Sequence, residues 1–228
     1  MYLFANLIFF LVLGRSAVKF MRYLLPLYPA MAIYSAYGLA YLFGKIGHRA
    51  LGKVGIALII TLAISWTLSF VSIYTKPHSR ESASIWMLNN IPQQSLLAQE
   101  HWDDRLPLYG GERFQYVDLP LYELPDDEQK WAQIIQTIQK ADYIVMTSNR
   151  LYGSLPKLAD CEKYKKCYPL TAQYYANLFS EKLGYEKVVE FHSRPSFLGI
   201  EIVDDEADES FTVYDHPKVL IYKNVSKK

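Results

Sequence analysis

VGIALIITLAISWTLSFVSIY, residues 54–74, is the stretch of sequence that decides how this chain is organised. It carries no charged side chain, and about 20 such residues cross the hydrocarbon core of a bilayer as an α-helix. A buried helix of a soluble protein normally keeps a polar stripe, and this stretch shows none. We therefore predict a transmembrane helix over Val54–Tyr74.

The charge of the chain changes abruptly just after this stretch. Residues 1–75 contain six basic side chains and no acidic one, whereas all 23 acidic residues follow, together with the other 18 basic residues. This asymmetry predicts a membrane part over residues 1–75 and a soluble domain over residues 76–228. No dense basic face with interleaved aromatic residues is present, so we expect no nucleic-acid partner.

Two further uncharged runs precede Val54. Residues 23–44 are long enough to span a bilayer, whereas residues 1–14 are shorter and predict part of a helix. The sequence thus predicts two to three transmembrane helices in a multi-pass protein of the cell membrane, with the lipid bilayer as a partner. The two short basic loops each hold three Lys or Arg residues, so the positive-inside rule does not decide the orientation.

The two cysteines of the chain, Cys161 and Cys167, flank a polar five-residue segment. A disulfide that closes this small loop fits an oxidising compartment, although two unrelated thiols would give the same sequence. Together with the acidic character of the soluble part, the pair favours a C-terminal domain outside the cytoplasm. No further ligands follow at the spacing of a zinc site, so we predict no metal site.

The soluble part alternates short apolar runs with amphipathic ones. The runs predict strands over residues 95–99, 142–147, 185–192, 199–203 and 219–222, and helices over 79–90, 126–141 and 171–183, with Gly184 ending the last helix. Strands that alternate with helices indicate an α/β domain. We expect a mostly parallel sheet in which the last strand adds an antiparallel edge.

Six polar or aromatic residues follow the first predicted strand of this domain: Glu100, His101, Trp102, Asp103, Asp104 and Arg105. Ligands of α/β proteins bind at the carboxyl ends of strands. Carboxylates in such a place can bind sugar hydroxyls or transfer protons, and a tryptophan can stack on a sugar ring. The cluster is a candidate sugar- or acceptor-binding site; a solvated loop with local ion pairs is the alternative.

Two other polar segments favour structural roles. Residues 214–217, with an adjacent Asp and His before a proline, predict a turn. Residues 204–209 are acidic but lack the spacing of a calcium-binding loop, so we predict a solvated loop there.

Arg22 is a second candidate site residue, because it stands where the chain enters an uncharged helix. Guanidinium groups bind phosphate through a planar fork, and Lys19, three residues earlier, would share its face if this connector is helical. Arg22 and Lys19 are therefore candidates for binding a lipid-linked phosphate. A basic anchor at the interface, with no ligand, is the other interpretation.

Several of these stretches together resemble a known family. KFMRYLLPLYPAMAIYSAYGL (residues 19–39) is similar to the late transmembrane helices of the family 39 glycosyltransferases, the multi-pass enzymes related to dolichyl-phosphate-mannose protein mannosyltransferases. The segments that resemble the extracytoplasmic C-terminal region of bacterial members are IYTKPHSRESASIWMLNNIP, EHWDDRLPLY, DYIVMTSNRLYGSLPKL, YYANLFSEKLGY and DESFTVYDHPKVLIYK. The order of the segments along most of the chain carries the resemblance more than any single motif.

The resemblance implies the C-terminal part of a transferase that moves a sugar from a polyprenyl-phosphate donor to a glycan, lipid or protein acceptor outside the membrane. Arg22 would contact the donor phosphate. The catalytic base of the family lies in an outer loop of the N-terminal half, which this chain does not contain, so its catalytic residues stay unknown here. The sequence contains no motif that identifies a cofactor. The resemblance is compatible with a divalent cation in the full-length enzyme.

Two readings compete with the transferase. In one, the chain is a non-enzymatic, membrane-anchored α/β domain that binds a glycan or a partner protein through Trp102 and its neighbours. In the other, it is a structural subunit that completes a split transferase.

Overall fold

The computed structural model describes residues 2–16, 20–46 and 49–227. The chain forms two compact units, which are described separately: a helical unit of Met1–Ser72 with Pro195–Ile202, and an α/β unit of Ile73–Arg194 with Val203–Lys228. The division falls slightly before the predicted position at residue 75. The assignment of Pro195–Ile202 to the helical unit has no counterpart in the sequence prediction.

The regular elements follow in chain order. The helices are α1 (Tyr2–Gly14), α2 (Tyr28–Ile46), α3 (Ala50–Val71), α4 (Ser79–Asn90), α5 (Glu128–Lys140), α6 (Pro169–Phe179) and α7 (Glu209–Thr212). The strands are β1 (Leu96–Glu100), β2 (Gln115–Leu119), β3 (Tyr143–Met146), β4 (Tyr185–Phe191), β5 (Ser196–Phe197), β6 (Ile200–Glu201) and β7 (Val219–Asn224).

The helical unit contains the uncharged runs. Helix α3 begins four residues before the predicted stretch and ends three residues before its end. Most of its apolar side chains are exposed, Leu51 at 87%, whereas Ile56 is buried. Within the described part of the chain, the helical segment that begins at Ala50 is the one long and apolar enough to cross a membrane; α1 is apolar but shorter. Helix α2 begins at Tyr28, because Pro26 lies in a preceding 3-10 segment, Met21–Leu27, and lacks the N–H that an α-helix needs.

The α/β unit is built on a five-stranded mixed sheet in the order β2-β1-β3-β7-β4. Strands β2, β1 and β3 are parallel, whereas β7 is antiparallel to both of its neighbours. The predicted antiparallel edge is present as the β7–β4 pair, but β4 forms this edge, and β7, the last strand of the chain, is interior. Val219–Tyr222 are buried on both faces of the sheet, as an interior strand requires, whereas in β4 only Tyr185 is fully buried.

Helices cover both faces of this sheet. Alternate residues of β3 point to opposite faces, so Ile144 and Met146 pack with α5 and α6, while Tyr143 and Val145 pack with α4. The resulting three-layer arrangement is the α/β class that the sequence predicts. It leaves the carboxyl ends of β1, β2 and β3 together at one edge.

Helix α6 is shorter than the predicted 171–183. It ends at Phe179, and Glu181 adopts a left-handed backbone with φ of 59°. Gly184 is also left-handed, with φ of 73°, but it leads into β4 and does not end the helix. The chain between them turns twice, which the single glycine in the sequence does not reveal.

Cys161 and Cys167 form a disulfide, with an S–S distance of 2.07 Å. The closed loop lies between β3 and α6, on the exposed surface of the α/β unit.

Candidate functional site

The site lies where the strand order of the sheet reverses. The chain passes from β1 to β2 on one side and then returns through α5 to β3 on the other side of β1. In open α/β sheets this reversal opens a crevice at the carboxyl ends of the two strands, where ligands bind. Here β1 ends at Glu100 and β3 at Met146, so residues 101–105 and 147–150 form the crevice.

Asp103 is the centre of a buried ion-pair network at this crevice. Its carboxylate accepts a hydrogen bond from Ser148 Oγ and lies 3.5 Å from Arg80 Nη2. Arg80 also donates from Nη1 to Asp104 Oδ2 at 3.0 Å and from Nε to the carbonyl of Thr147 at 3.3 Å. The Arg80 guanidinium therefore ties the first turn of α4 to the loops that follow β1 and β3.

Arg150 fixes the same loops from the other side. Its Nη1 donates to the carbonyl oxygen of Trp102 at 2.7 Å and lies 3.8 Å from Asp103 Oδ1. Its Nε lies 3.3 Å from Glu209 Oε2. Because Arg150 holds the backbone of Trp102 directly, the indole of Trp102 projects from a loop that is fixed by hydrogen bonds.

Glu100 is buried beneath this loop and does not reach the surface. Tyr175 Oη donates to its Oε1 at 2.7 Å, and Oε2 has no hydrogen-bond partner among the residues described. Burial raises the pKa of Glu100 to about 8; the negative charge of Asp103 adds to the rise and the bond from Tyr175 opposes it. At neutral pH the side chain is therefore mainly a neutral carboxylic acid. It supports the loop and does not contact a ligand at the surface.

Four rings form a continuous series along the mouth of the crevice, which we call the aromatic platform: His101, Trp102, Tyr122 and Tyr168. The centroid distances between successive rings are 5.7, 5.9 and 6.0 Å, and the rings of Tyr122 and Tyr168 are stacked. Trp102 is 53% exposed and Tyr122 46%, whereas Tyr168 is buried at the base. Two large rings thus face solvent side by side on a fixed support.

The loop that carries Tyr122 is fixed by hydrogen bonds to its backbone. Tyr168 Oη donates to the carbonyl of Tyr122 at 2.9 Å, and Lys130 Nζ donates to the carbonyls of Leu121 and Glu123 at 3.0 and 2.8 Å. Polar groups border the platform, since Arg105 donates to Asp118 Oδ2 at 2.8 Å. The surface therefore combines aromatic faces with polar groups, which suits a ligand that has both apolar ring faces and hydroxyl groups.

The predicted cluster is thus divided between two roles. Trp102, Asp104 and Arg105 are exposed, whereas Glu100 and the side chain of Asp103 are buried. The carboxylates lie at the predicted edge of the sheet, but each has a partner: Tyr175 for Glu100, and Arg80 for both aspartates. The carboxylates therefore hold the loops of the crevice in place, while Trp102 and Arg105 remain exposed.

Sequence reasoning missed the residues that hold this cluster in place: Arg80, Ser148, Arg150 and Tyr122. A usable signal existed for Ser148 and Arg150, because they directly follow the clearest predicted strand and so share an edge with Glu100. Nothing near Tyr122 in the sequence points to stacking on Tyr168, which is 46 residues away.

The two other polar segments have structural contacts. His216 is buried and its Nε2 lies 2.7 Å from Asp204 Oδ2, and Asp205 pairs with Arg194 and Lys218. Hydrogen bonds from Arg194 hold the pKa of Asp205 well below its usual range, although burial opposes them. In residues 2–16, 20–46 and 49–227, no group of three His, Cys, Asp or Glu residues is arranged to hold a metal ion.

Arg22, in the helical unit, lies in the 3-10 segment before α2 and is exposed. Its guanidinium carbon is 4.9 Å from the centroid of the Phe20 ring and 5.6 Å from that of Tyr23. Two aromatic faces thus orient the cation while leaving it in contact with solvent. Lys19, its predicted partner, lies outside the described residues.

In comparisons with known proteins, no family model, no curated protein and no solved structure matches the chain.

Proposed function

We propose that this chain is the C-terminal part of a membrane glycosyltransferase and that its α/β unit binds the glycan acceptor on the aromatic platform. The observation that carries the proposal is the pair of exposed rings, Trp102 and Tyr122, on a rigid support beside a polar rim. Aromatic faces pack against the C–H faces of sugar rings, while neighbouring carboxylate and guanidinium groups bind sugar hydroxyls.

The membrane assignment supports the same proposal. Helix α3 has one charged side chain, Lys53 in its first turn, and most of its apolar side chains are exposed. Such a surface is stable in lipid and not in water. We propose that α3 crosses the membrane and that α2 and α1 accompany it, which makes a multi-pass arrangement of two to three helices. The disulfide of Cys161 and Cys167 supports a location of the α/β unit outside the cytoplasm.

The donor in this proposal is a sugar on a polyprenyl phosphate, and Arg22 binds its phosphate. The support is the position of Arg22 next to an uncharged helix, with Phe20 and Tyr23 flanking the guanidinium. The ordered resemblance to the family 39 transferases points to the same donor class. The group that activates the acceptor belongs to the N-terminal half of such an enzyme.

A test of the transferase assignment is the substitution Arg22→Ala in the complete membrane enzyme. A charge-assisted hydrogen bond contributes about 1.5–3 kcal/mol, so we expect kcat/KM for the lipid-phosphate donor to fall roughly 10- to 150-fold. Arg15→Ala, which removes another exposed cation of the same unit, is the matched control and should leave the donor kinetics unchanged. Donor kinetics of Arg22→Ala equal to those of the wild type would contradict the assigned role.

A second candidate function is a membrane-anchored glycan-binding module without catalysis. This candidate is favoured because the carboxylates around Trp102 each pair with a protein group and so are engaged in structure. Asp104 pairs with Arg80 and Asp118 with Arg105, and the partners of Glu100 and Asp103 are described above. This candidate predicts that the chain, reconstituted in lipid, binds glycans. It also predicts that the native membrane complex that contains the chain does not consume a lipid-phosphate sugar.

A further inference from the structure

A short hairpin of the chain belongs to the helical unit although its sequence lies between β4 and α7. It consists of β5 and β6, in which Phe197 pairs with Ile200, and Ile202 N–H donates to the carbonyl of Pro195 at 2.8 Å. The hairpin packs against the C-terminal end of α3. Ser196 N–H donates to the hydroxyl of Ser72, the residue that caps α3, at 2.8 Å. The hairpin is therefore fixed at one end of the apolar helix.

The tip of this hairpin has an unusual composition. Leu198 and Gly199 form the two-residue turn, with φ of 50° and 83°. Turns of this kind need left-handed backbone at both positions and normally use Asn, Asp or Gly. A leucine there is strained, and its side chain is nevertheless 86% exposed; that of Ile200 is 73% exposed. In water a polar residue would serve this position better, so the turn is suited to an apolar environment.

We propose that the tip of the hairpin, Leu198 to Ile200, inserts into the boundary between headgroups and acyl chains of the bilayer that α3 crosses. The proposal rests on the membrane crossing proposed above. Lipid is the indicated occupant because the hairpin is hydrogen-bonded to Ser72, the residue at which the apolar, exposed surface of α3 ends. The same bilayer that covers α3 then covers the tip, so this chain contacts the membrane through a loop as well as through its helices.

The experiment uses a single reactive cysteine in the full chain reconstituted into phosphatidylcholine nanodiscs. Both natural cysteines form the disulfide, so Leu198→Cys provides the one thiol for an environment-sensitive fluorophore under non-reducing conditions. Ile200→Cys is a second site at the tip. Gln136→Cys, on the exposed surface of α5, is the control in water, and Leu58→Cys, on the exposed surface of α3, is the control in lipid.

We expect the labels at 198 and 200 to emit at shorter wavelength than the label at 136 and to resist quenching by iodide. Lipids with a nitroxide near the headgroup should quench both, at a depth of about 5–10 Å. If the labels at 198 and 200 have the emission wavelength and the iodide quenching of the label at 136, the proposal is overturned. So would protection from both iodide and nitroxide lipids, since that outcome indicates coverage by protein, including a second copy of the chain.

The label at position 58 separates this proposal from the membrane crossing on which it rests. Quenching by nitroxide lipids at 58 but not at 198 and 200 overturns the hairpin insertion alone. Absence of lipid quenching at 58 overturns the crossing by α3, and the hairpin insertion with it.

Discussion

Replacement of Asp103 by alanine is expected to lower the free energy of unfolding of the α/β unit by about 3–5 kcal/mol, the usual consequence of breaking a buried ion pair. The Asp103 side chain is only 4% exposed, and the Arg80 side chain 9%. The substitution leaves the Arg80 guanidinium without its buried counter-ion and Ser148 without its acceptor. Thermal and denaturant unfolding of the full chain in detergent micelles, followed by circular dichroism, measures the loss.

Asp104→Ala is the matched control for this prediction. Asp104 pairs with the same guanidinium at 3.0 Å, but its side chain is 78% exposed. Surface ion pairs contribute about 0–1 kcal/mol, so this variant should unfold almost as the wild type does. Equal effects of the two substitutions would show that burial of Asp103 does not anchor the loop of Trp102.

Replacement of Glu100 by glutamine is expected to stabilise the protein at alkaline pH. The carboxyl group titrates near its ordinary pKa of 4.5 in the unfolded chain and at about 8 in the folded one. Between these values the folded state retains a proton that the unfolded state has lost, so the stability of the wild type falls as the pH rises. At about 1.36 kcal/mol per pKa unit, the total fall is roughly 3–5 kcal/mol.

The glutamine variant removes the titrating group and keeps an acceptor for Tyr175 Oη. Its stability should vary less with pH, match that of the wild type near pH 4, and exceed it above pH 8. Urea unfolding of both proteins at intervals from pH 4 to pH 9 gives the comparison. Glu162→Gln, an exposed carboxyl in the disulfide loop, should follow the wild type throughout. Parallel curves for the wild type and Glu100→Gln would contradict the buried, neutral state of Glu100.

The elements of the fold could be predicted where a local pattern decides the structure. Helix α3 and strands β1 and β3 follow from apolar runs, and α5 from its regular spacing of apolar residues. The position of β7 in the sheet could not be predicted, because strand order depends on which faces two distant segments bury. Val219–Tyr222 are buried on both sides because α4 packs on one face of the sheet and α6 on the other, and this packing is not encoded in the local sequence of β7.

The location of the candidate site could be predicted, but not the roles of its residues. Adjacent charges after β1 indicated the correct edge of the sheet, since that edge follows from the strand direction alone. Whether Asp103 faces solvent or Arg80 depends on a guanidinium that lies 23 residues earlier in the chain. Similarly, the exposure of Trp102 beside Tyr122 depends on the support of Tyr168 and Lys130, which come from two other segments.

Binding of oligosaccharides to the full chain in nanodiscs tests the central claim most directly. One panel of glycans is presented to the wild type, to Trp102→Ala and to Trp66→Ala, which removes a similarly exposed tryptophan from α3. Truncation of a central aromatic side chain in a binding surface costs about 2 kcal/mol, so Trp102→Ala should bind roughly 30-fold more weakly than the other two proteins. Equal binding by all three proteins, or no glycan bound by the wild type, would contradict the role of the aromatic platform.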